Sequence, residues 1–453
     1  MARVVIVGAG TTGLFAALVL ARAREAHEVV LVEKDARPAA VDAATIGAWR
    51  RPGTPQALLP HGLMARGRTL MREHTPDVWQ RVLDAGAVEI SVMGLGPPGD
   101  ASAGDEELIA TFCRRPLLEN ALWRAVEEQP NVDVRTETNV TGISLPGAIA
   151  TDRGELHADL IVDAGGRRSP LAKWLDAPAA AVEETGMIYY SRYYALRAGA
   201  EVPRGPWLWG PRAELPFALA TVHLADRGVH SITFGVPTFD AELKALRESR
   251  AFEAATAALP AFAPWAEEAR VTACSDVLAM GGLQNVLRPL LRDGRPAVPG
   301  VLPIGDALCH TNAAYGWGLT FGMEHAVALA AALRESPSPD ALALAYEARV
   351  WPEAKARWAL SVEQDRARVR AWRGEPPLAQ DSRAAAVRAL GAAMMLDRHL
   401  FRAVMRSSLL LDSADALLDG ELLARAAAAV ERRGPAAPPP PAPTRDAIVA
   451  AMR

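Results

Sequence analysis

Residues 4–13 read Val4-Val5-Ile6-Val7-Gly8-Ala9-Gly10-Thr11-Thr12-Gly13, and how this stretch is read decides the fold. An apolar, mostly β-branched run feeds a glycine turn. An alanine- and leucine-rich segment continues to about Arg24, and Val29-Val30-Leu31-Val32 closes on Glu33. The pattern predicts strand, turn, helix and second strand. Each glycine has its own task. Gly8 permits the tight turn, Gly10 lets backbone N–H groups approach a pyrophosphate, and Gly13 lets the helix pack against the strand. Unpaired first-turn N–H groups and the helix dipole then favour an anion at that end. Glu33 ends the second strand, where a carboxylate accepts hydrogen bonds from the hydroxyls of an adenosine ribose and repels a phosphorylated one. A signal peptide opened by Arg3 is the competing reading. It fails on the glycine spacing, on Arg22 and Arg24, and on the lack of a small-residue cleavage site before Glu33.

A chain of 453 residues exceeds one ordinary core and predicts two or three structural units. Half of it is apolar, so a large interior can form. The net charge of −4 is spread along the chain, which excludes an electrostatic footprint for nucleic acid. Cys113, Cys274 and Cys309 are odd in number and far apart, so neither a disulfide framework nor a zinc site is expected, and a reducing cytoplasm is. No run of about eighteen apolar residues predicts a membrane span.

Beyond Glu33, prolines and glycines between Arg37 and Arg68 argue against a long helix. Helical patterning follows from Gly62 to Ala87, with Thr75-Pro76 as a start signal, and again from Arg114 to Glu128. Val132–Arg135 and Asn139–Ile143 alternate as short strands, and Leu160–Asp163 reads as a buried strand running into Gly165-Gly166. Residues 186–238 change to period-two, aromatic and β-branched patterning, the mark of an antiparallel sheet, followed by an amphipathic helix from about Asp240 to Leu259. Val298–Ile304 then reads as a strand ending in Gly305-Asp306, with Gly316 and Gly318 opening a helix from Thr320 to Leu333. This repeats the logic of the first motif, an acid at a strand end and a helix start that can present N–H groups to an anionic oxygen. Residues 335–433 are helical in pattern, 434–443 form a proline-rich spacer, and Thr444–Met452 reads as a closing helix.

Four segments together resemble the FAD-dependent monooxygenase family of the para-hydroxybenzoate hydroxylase type. They are Gly8-x-Gly10-x-x-Gly13 with Glu33, Arg115-Pro116-Leu117-Leu118-Glu119, Asp163-Ala164-Gly165-Gly166-Arg167, and Gly305-Asp306 with Asn312 through Leu319. Arg51-Pro52-Gly53-Thr54-Pro55-Gln56 with His61 is similar to a segment of the branch containing polyene epoxidases of polyether biosynthesis and related tailoring oxygenases. The resemblance implies an α/β fold: a Rossmann-like FAD-binding domain, an inserted antiparallel-sheet substrate domain and a C-terminal helical region. The corresponding divisions are 1–185 with an excursion at 37–110, then 186–295, 296–334 and 335–453.

The site residues follow from the same resemblance. Gly8, Gly10 and Gly13 would hold the FAD pyrophosphate and Glu33 the ribose. Arg115 would reach the ribityl or phosphate region, and Val140 would touch the adenine through its backbone. Gly305 and Asp306 would take the ribityl or phosphate side. Gly316, Gly318 and Leu319 would face the pyrimidine end of the isoalloxazine. Asp163 belongs to a motif linked to both FAD and NAD(P)H. Two departures stand out: Ala313-Ala314 replaces the usual proline, and Gly166 the usual threonine.

The activity implied is insertion of one oxygen atom from O2 into an apolar natural-product intermediate, by epoxidation or hydroxylation, through a flavin C4a-hydroperoxide. Electrons would come from NAD(P)H or a separate flavin reductase, since there is one dinucleotide fingerprint only. No catalytic side chain is assigned. His61, His223 and His230 are candidate bases whose simpler role is structural, and the tyrosines at 189, 190, 193 and 194 alternate faces, so at most one pair faces a pocket. A flavin halogenase is disfavoured. Its paired tryptophans find only a partial echo in Trp207 and Trp209, and no lysine lies between Lys34 and Lys173. A redox-neutral FAD-bound cyclase and a flavin-dependent isoprenoid reductase are the alternatives.

Overall fold

A computed structural model describes residues 2–25, 27–145, 147–203, 211–336, 338–377, 383–434 and 442–453. Trp207, Trp209 and most of the proline-rich spacer lie outside the described residues. The first strand, β1 (Arg3–Val7), the helix α1 (Thr11–Ala21) and the second strand, β2 (Glu28–Val32), form the predicted unit. They sit in a five-stranded, wholly parallel sheet in the order Val301–Pro303, Leu160–Asp163, β1, β2, Val132–Arg135.

Both faces of this sheet are covered, which explains its continuous apolar strands. Val4, Ile6, Val29 and Leu31 meet α1 and the helices Arg115–Glu127 and Gly318–Glu335 on one face. Val5, Val7, Val30 and Val32 meet a three-stranded antiparallel layer, Val140–Ser144, Ala148–Thr151 and Gly154–His157, on the other. Val132–Arg135 is the outer strand and correspondingly alternates in sequence, because one side of it remains half-exposed.

The second sheet has six strands and is antiparallel in register throughout, centred on Met187–Leu196, Val229–Pro237 and Ala218–Leu224. Its back face packs Tyr190, Tyr194, Val222, Ile232 and Phe234 against the helix Ser249–Ala257 and the closing helix Arg445–Met452. The alternation of the four tyrosines is thereby resolved: Tyr190 and Tyr194 are core, while Tyr189 and Tyr193 lie on the front. The single helix expected from Asp240 to Leu259 is instead a 3-10 turn, Leu243–Arg247, and a separate helix, Ser249–Ala257. The Asp240 carboxylate accepts from the N–H groups of Glu242 and Leu243, tightening that turn, and Glu248 is extended between the two pieces. A small sheet of Gly62–Leu63, Ile109–Phe112 and Val88–Ser91, invisible in the sequence pattern, supports the helix Arg398–Ser408 through Phe401.

Two close approaches set the geometry of the whole. A methyl group on Gly13 would lie 1.9 Å from the Gly8 carbonyl oxygen. One on Gly322 would lie 2.0 Å from Thr12 Oγ1, so the start of α1 touches the helix Gly318–Glu335 at a glycine. Gly13→Ala should therefore lower stability by about 1–3 kcal/mol through overpacking, read as a lower urea midpoint at unchanged m-value. Full stability in that variant would refute the close contact.

Candidate functional site

One large cavity, about 1520 Å3, opens where the two sheets and the C-terminal helices meet. It is larger than the usual 300–1,000 Å3 of a single small-molecule pocket, so it has room for two bound molecules. Gly8, Gly10, Glu33, Arg115, Val140, Asp306, Gly316, Gly318 and Leu319 all line it, although they come from five separate stretches of chain. Gly13 is buried beneath the turn, Gly305 lies under Asp306, and Asp163 sits behind the wall.

The phosphate end is built from the glycine turn. Gly8 has φ +106°, a conformation that glycine alone adopts readily, and Gly10 precedes α1 without any side-chain cap. The first turn of α1 carries no acid, and the nearest group to a methyl built on Gly10 would be Arg115 Nη2, at 3.8 Å. Donors and positive charge thus converge on one small space, the chemistry an anionic phosphate needs. A dinucleotide fits this cradle.

Behind it lies a charge network that sequence reasoning did not find. Arg51 Nη2 donates to Glu33 Oε2 at 2.8 Å and Nη1 to the Ala9 carbonyl at 3.1 Å, and its side chain is about 1 % exposed. Glu119 accepts from Arg115 Nε at 2.7 Å and Thr11 Oγ1 at 3.1 Å, and Arg51 Nη1 lies 3.4 Å away. Burial pushes the Glu119 pKa up, but Arg115 and Arg51 outweigh burial and hold the carboxyl below its usual range. Glu33 also accepts from the N–H groups of Ala9 and Asp35. Three of a carboxylate's roughly four acceptor positions are therefore taken, leaving about one for a ribose hydroxyl. Arg51 was legible only as part of a motif, because its partners lie at positions 33, 35 and 119.

His61 has both ring nitrogens engaged. Nδ1 meets the Leu59 carbonyl at 2.8 Å and Nε2 faces Arg115 Nη1 at 3.5 Å. Burial, then Arg115, push its pKa down to about 3, so it is neutral and supports a loop and an arginine. His230 bonds the Trp265 carbonyl on the back of the sheet, away from the cavity. Asp163 accepts from the Gly165 N–H at 2.9 Å and thus fixes its turn, with burial raising its pKa. Gly166, in the place of the expected threonine, has φ +73°. Arg288 ties that turn to the second motif by donating to the carbonyls of Arg167 and Ala307, each at 2.9 Å.

The loop from Asn312 to Gly318 is held without its proline. Asn312 Oδ1 accepts from the Ala314 N–H at 3.0 Å, capping a short turn that ends at Gly316 with φ +71°. The same side chain accepts from Tyr189 Oη at 2.5 Å and donates to Asp365 Oδ1 at 2.8 Å. Asp365 also accepts from Asn285, Tyr315 and Arg368. This buried network joins the second sheet, the loop and the helix Pro339–Trp372. Among the described residues, no cluster of His, Cys, Asp and Glu could hold a metal ion, and no helix is long and apolar enough to cross a membrane.

The architecture is that of flavoprotein oxygenase structures. Tetrameric 2-methyl-3-hydroxypyridine-5-carboxylic acid oxygenase superposes with a TM-score of 0.59 at 18% identity, over 90% of this chain and 97% of that one. PqsL, described as a probable FAD-dependent monooxygenase from Pseudomonas aeruginosa, gives 0.60 at 18% identity, over 82% and 98%. OxyS anhydrotetracycline hydroxylase from Streptomyces rimosus gives 0.60 at 20% identity, over 91% and 76%. By sequence, residues 3–91 match the family model described as FAD dependent oxidoreductase. Protein Rv3254 of Mycobacterium tuberculosis (strain ATCC 25618 / H37Rv) is 28% identical over 353 residues, 70% of this chain and 69% of that protein.

Two outcomes follow from this geometry. Arg51→Ala leaves Glu33, Asp35 and Glu119 buried without their shared counter-ion, and should cost about 3–5 kcal/mol of unfolding free energy in urea. A loss below about 1 kcal/mol would show that the network is not held by Arg51. His325 Nδ1 accepts from the Gly305 N–H at 3.0 Å, and burial lowers its pKa to about 4. The unfolded chain binds this proton near pH 6.5 and the folded one only near pH 4, so its contribution is intact above pH 6.5 and is lost as pH falls towards 4. Between pH 7 and pH 5 the natural protein should lose about 2 kcal/mol more than His325→Gln does, measured by urea unfolding at both values. Equal losses would remove His325 from the acid response.

Proposed function

We propose that the chain is an FAD-dependent monooxygenase acting on a small organic substrate, in the polyene-epoxidase and tailoring-oxygenase branch. The observation that carries the reading is the meeting of two helix starts, α1 and Gly318–Glu335, on one cavity with room for a cofactor and a substrate. In this reading Gly8, Gly10, Gly13 and Arg115 hold the pyrophosphate, Glu33 keeps one acceptor for the ribose, and the Val140 backbone borders the adenine. Asp306 takes a ribityl hydroxyl. Gly316, Gly318 and Leu319 bring backbone donors to the pyrimidine end of the flavin, where negative charge collects on reduction. Asp163 and Arg288 shape the adjoining turns.

Bound FAD supplies the electron-transfer and oxygen-activating chemistry that no amino acid side chain has. One atom of O2 enters the substrate, the other leaves as water, and a reductant provides two electrons. The chain's own task is to bind and orient, and to keep water away from the reacting centre. The tight Asn312–Tyr189–Asp365 network supports that task by fixing the loop against both walls. Residues 1–185 and 296–334 make up the cofactor body, 186–295 the substrate domain and 335–453 a helical cover. Pyridine nucleotide binding transiently, or a separate flavin reductase, delivers the electrons.

Purified protein incubated with FAD and desalted should be yellow, with about one flavin per chain. Reduced without air and then mixed rapidly with O2, it should show a transient species absorbing at shorter wavelength than oxidised flavin. Colourless protein would defeat the cofactor assignment. Direct reoxidation without the transient, even with candidate substrates present, would defeat the oxygenase and favour the cyclase or reductase reading.

A further inference from the structure

The front face of the six-stranded sheet, part of which lines the cavity, carries two polar rows beside the apolar Met187, Leu219 and Val229. In one cross-strand row Arg212 pairs with Thr221, Thr221 with Thr233 and Thr233 with Ser191. In the next, His223 pairs with Ser231 and Ser231 with Tyr193. A sheet face that only packed against a hydrocarbon would carry branched apolar residues, as the back face does with Val222, Ile232 and Phe234.

Two atoms in these rows stand without partners. Ser231 Oγ is fully buried and makes no hydrogen bond. His223 lines the cavity, and its Nδ1 lies 3.4 Å from Thr221 Oγ1. Among the described residues, its Nε2 has no hydrogen-bond partner. A half-buried imidazole nitrogen facing a cavity with nothing to bond is a group awaiting one. The ring is neutral, since burial and then Arg212 bring its pKa down to about 4. It can therefore accept from a hydroxyl or donate to a carbonyl oxygen, according to tautomer. Thr221 Oγ1, also on the cavity wall, offers a second hydroxyl beside it. The helical part of the wall is mixed, with Leu360, Ala371, Trp372, Met405 and Leu417 beside Gln364 and Arg368.

We infer that His223 and Thr221 form a specificity subsite that binds an oxygen substituent of the substrate, a hydroxyl or carbonyl. The apolar intermediate expected from the sequence thus carries an oxygen function at this end. This rests on the oxygenase reading and assigns His223 to binding, with no proton removed from the substrate.

The test uses FAD-loaded holoenzyme and two probes that differ by one hydroxyl, 1-naphthol and naphthalene, titrated against the flavin absorbance. The natural protein should bind 1-naphthol about fivefold or more tighter than naphthalene. His223→Phe should bring the two within about twofold of each other at unchanged flavin content, and Thr221→Val should narrow the gap. Equal affinities in the natural protein, no binding of either probe, or a preference undiminished in both variants would overturn the subsite. A preparation that holds no flavin would instead overturn the oxygenase reading on which the subsite rests, so the two failures are told apart in the same sample.

Discussion

The closeness of backbone at the first turn of α1 governs everything else in this molecule. Gly13 sits so near the Gly8 carbonyl that no side chain fits, and Thr12 presses against Gly322 and Gly305. Because a glycine stands on one side of each contact, α1 and the helix Gly318–Glu335 begin side by side. Helix starts carry unpaired N–H groups and a partial positive charge, so two of them at one place create a region suited to anionic oxygen. The chain between them, more than three hundred residues in sequence, must leave and return to that spot. The second sheet, the small three-stranded sheet and the C-terminal helices are arranged around this return.

Burying charge next to such a site is expensive unless each ion has a partner, and the network around Arg51 meets that condition. Arg51 stands between Glu33 and Glu119, and Glu119 in turn orients Arg115, which lines the cavity. A cavity-lining cation is thus held by an acid that does not itself line the cavity. The second network, around Asn312 and Asp365, does the same for the other helix start, with neutral donors taking most of the roles. Its reach from Tyr189 to Arg368 means that the loop cannot shift without disturbing both the sheet and the long helix.

The two sheets differ in how they use their faces. The parallel sheet is apolar on both sides and contributes only its strand ends to the cavity. The antiparallel sheet is apolar on its back and mixed on its front, where Arg212, Thr221 and His223 stand beside Leu219 on the cavity wall.

The sequence by itself determined the parts whose physics is local. The spacing of Gly8, Gly10 and Gly13, the apolar runs of β1 and β2, the start signals at Pro116 and Thr444, and the period-two stretch at 186–238 each encode their conformation within a few residues. The resemblance of four such segments added the expectation of FAD, and nine of the twelve residues it pointed to line one cavity. Other features are set by distance. Arg51 meets Glu33, Asp35 and Glu119, Asn312 meets Tyr189 and Asp365, and the small sheet under Phe401 joins residues hundreds of positions apart. Which tyrosine pair packs into the core was also decided only by tertiary structure. The reason is physical. Alternation along a strand tells which residues share a face, but only the packing of helices against one side determines which face is left to the cavity.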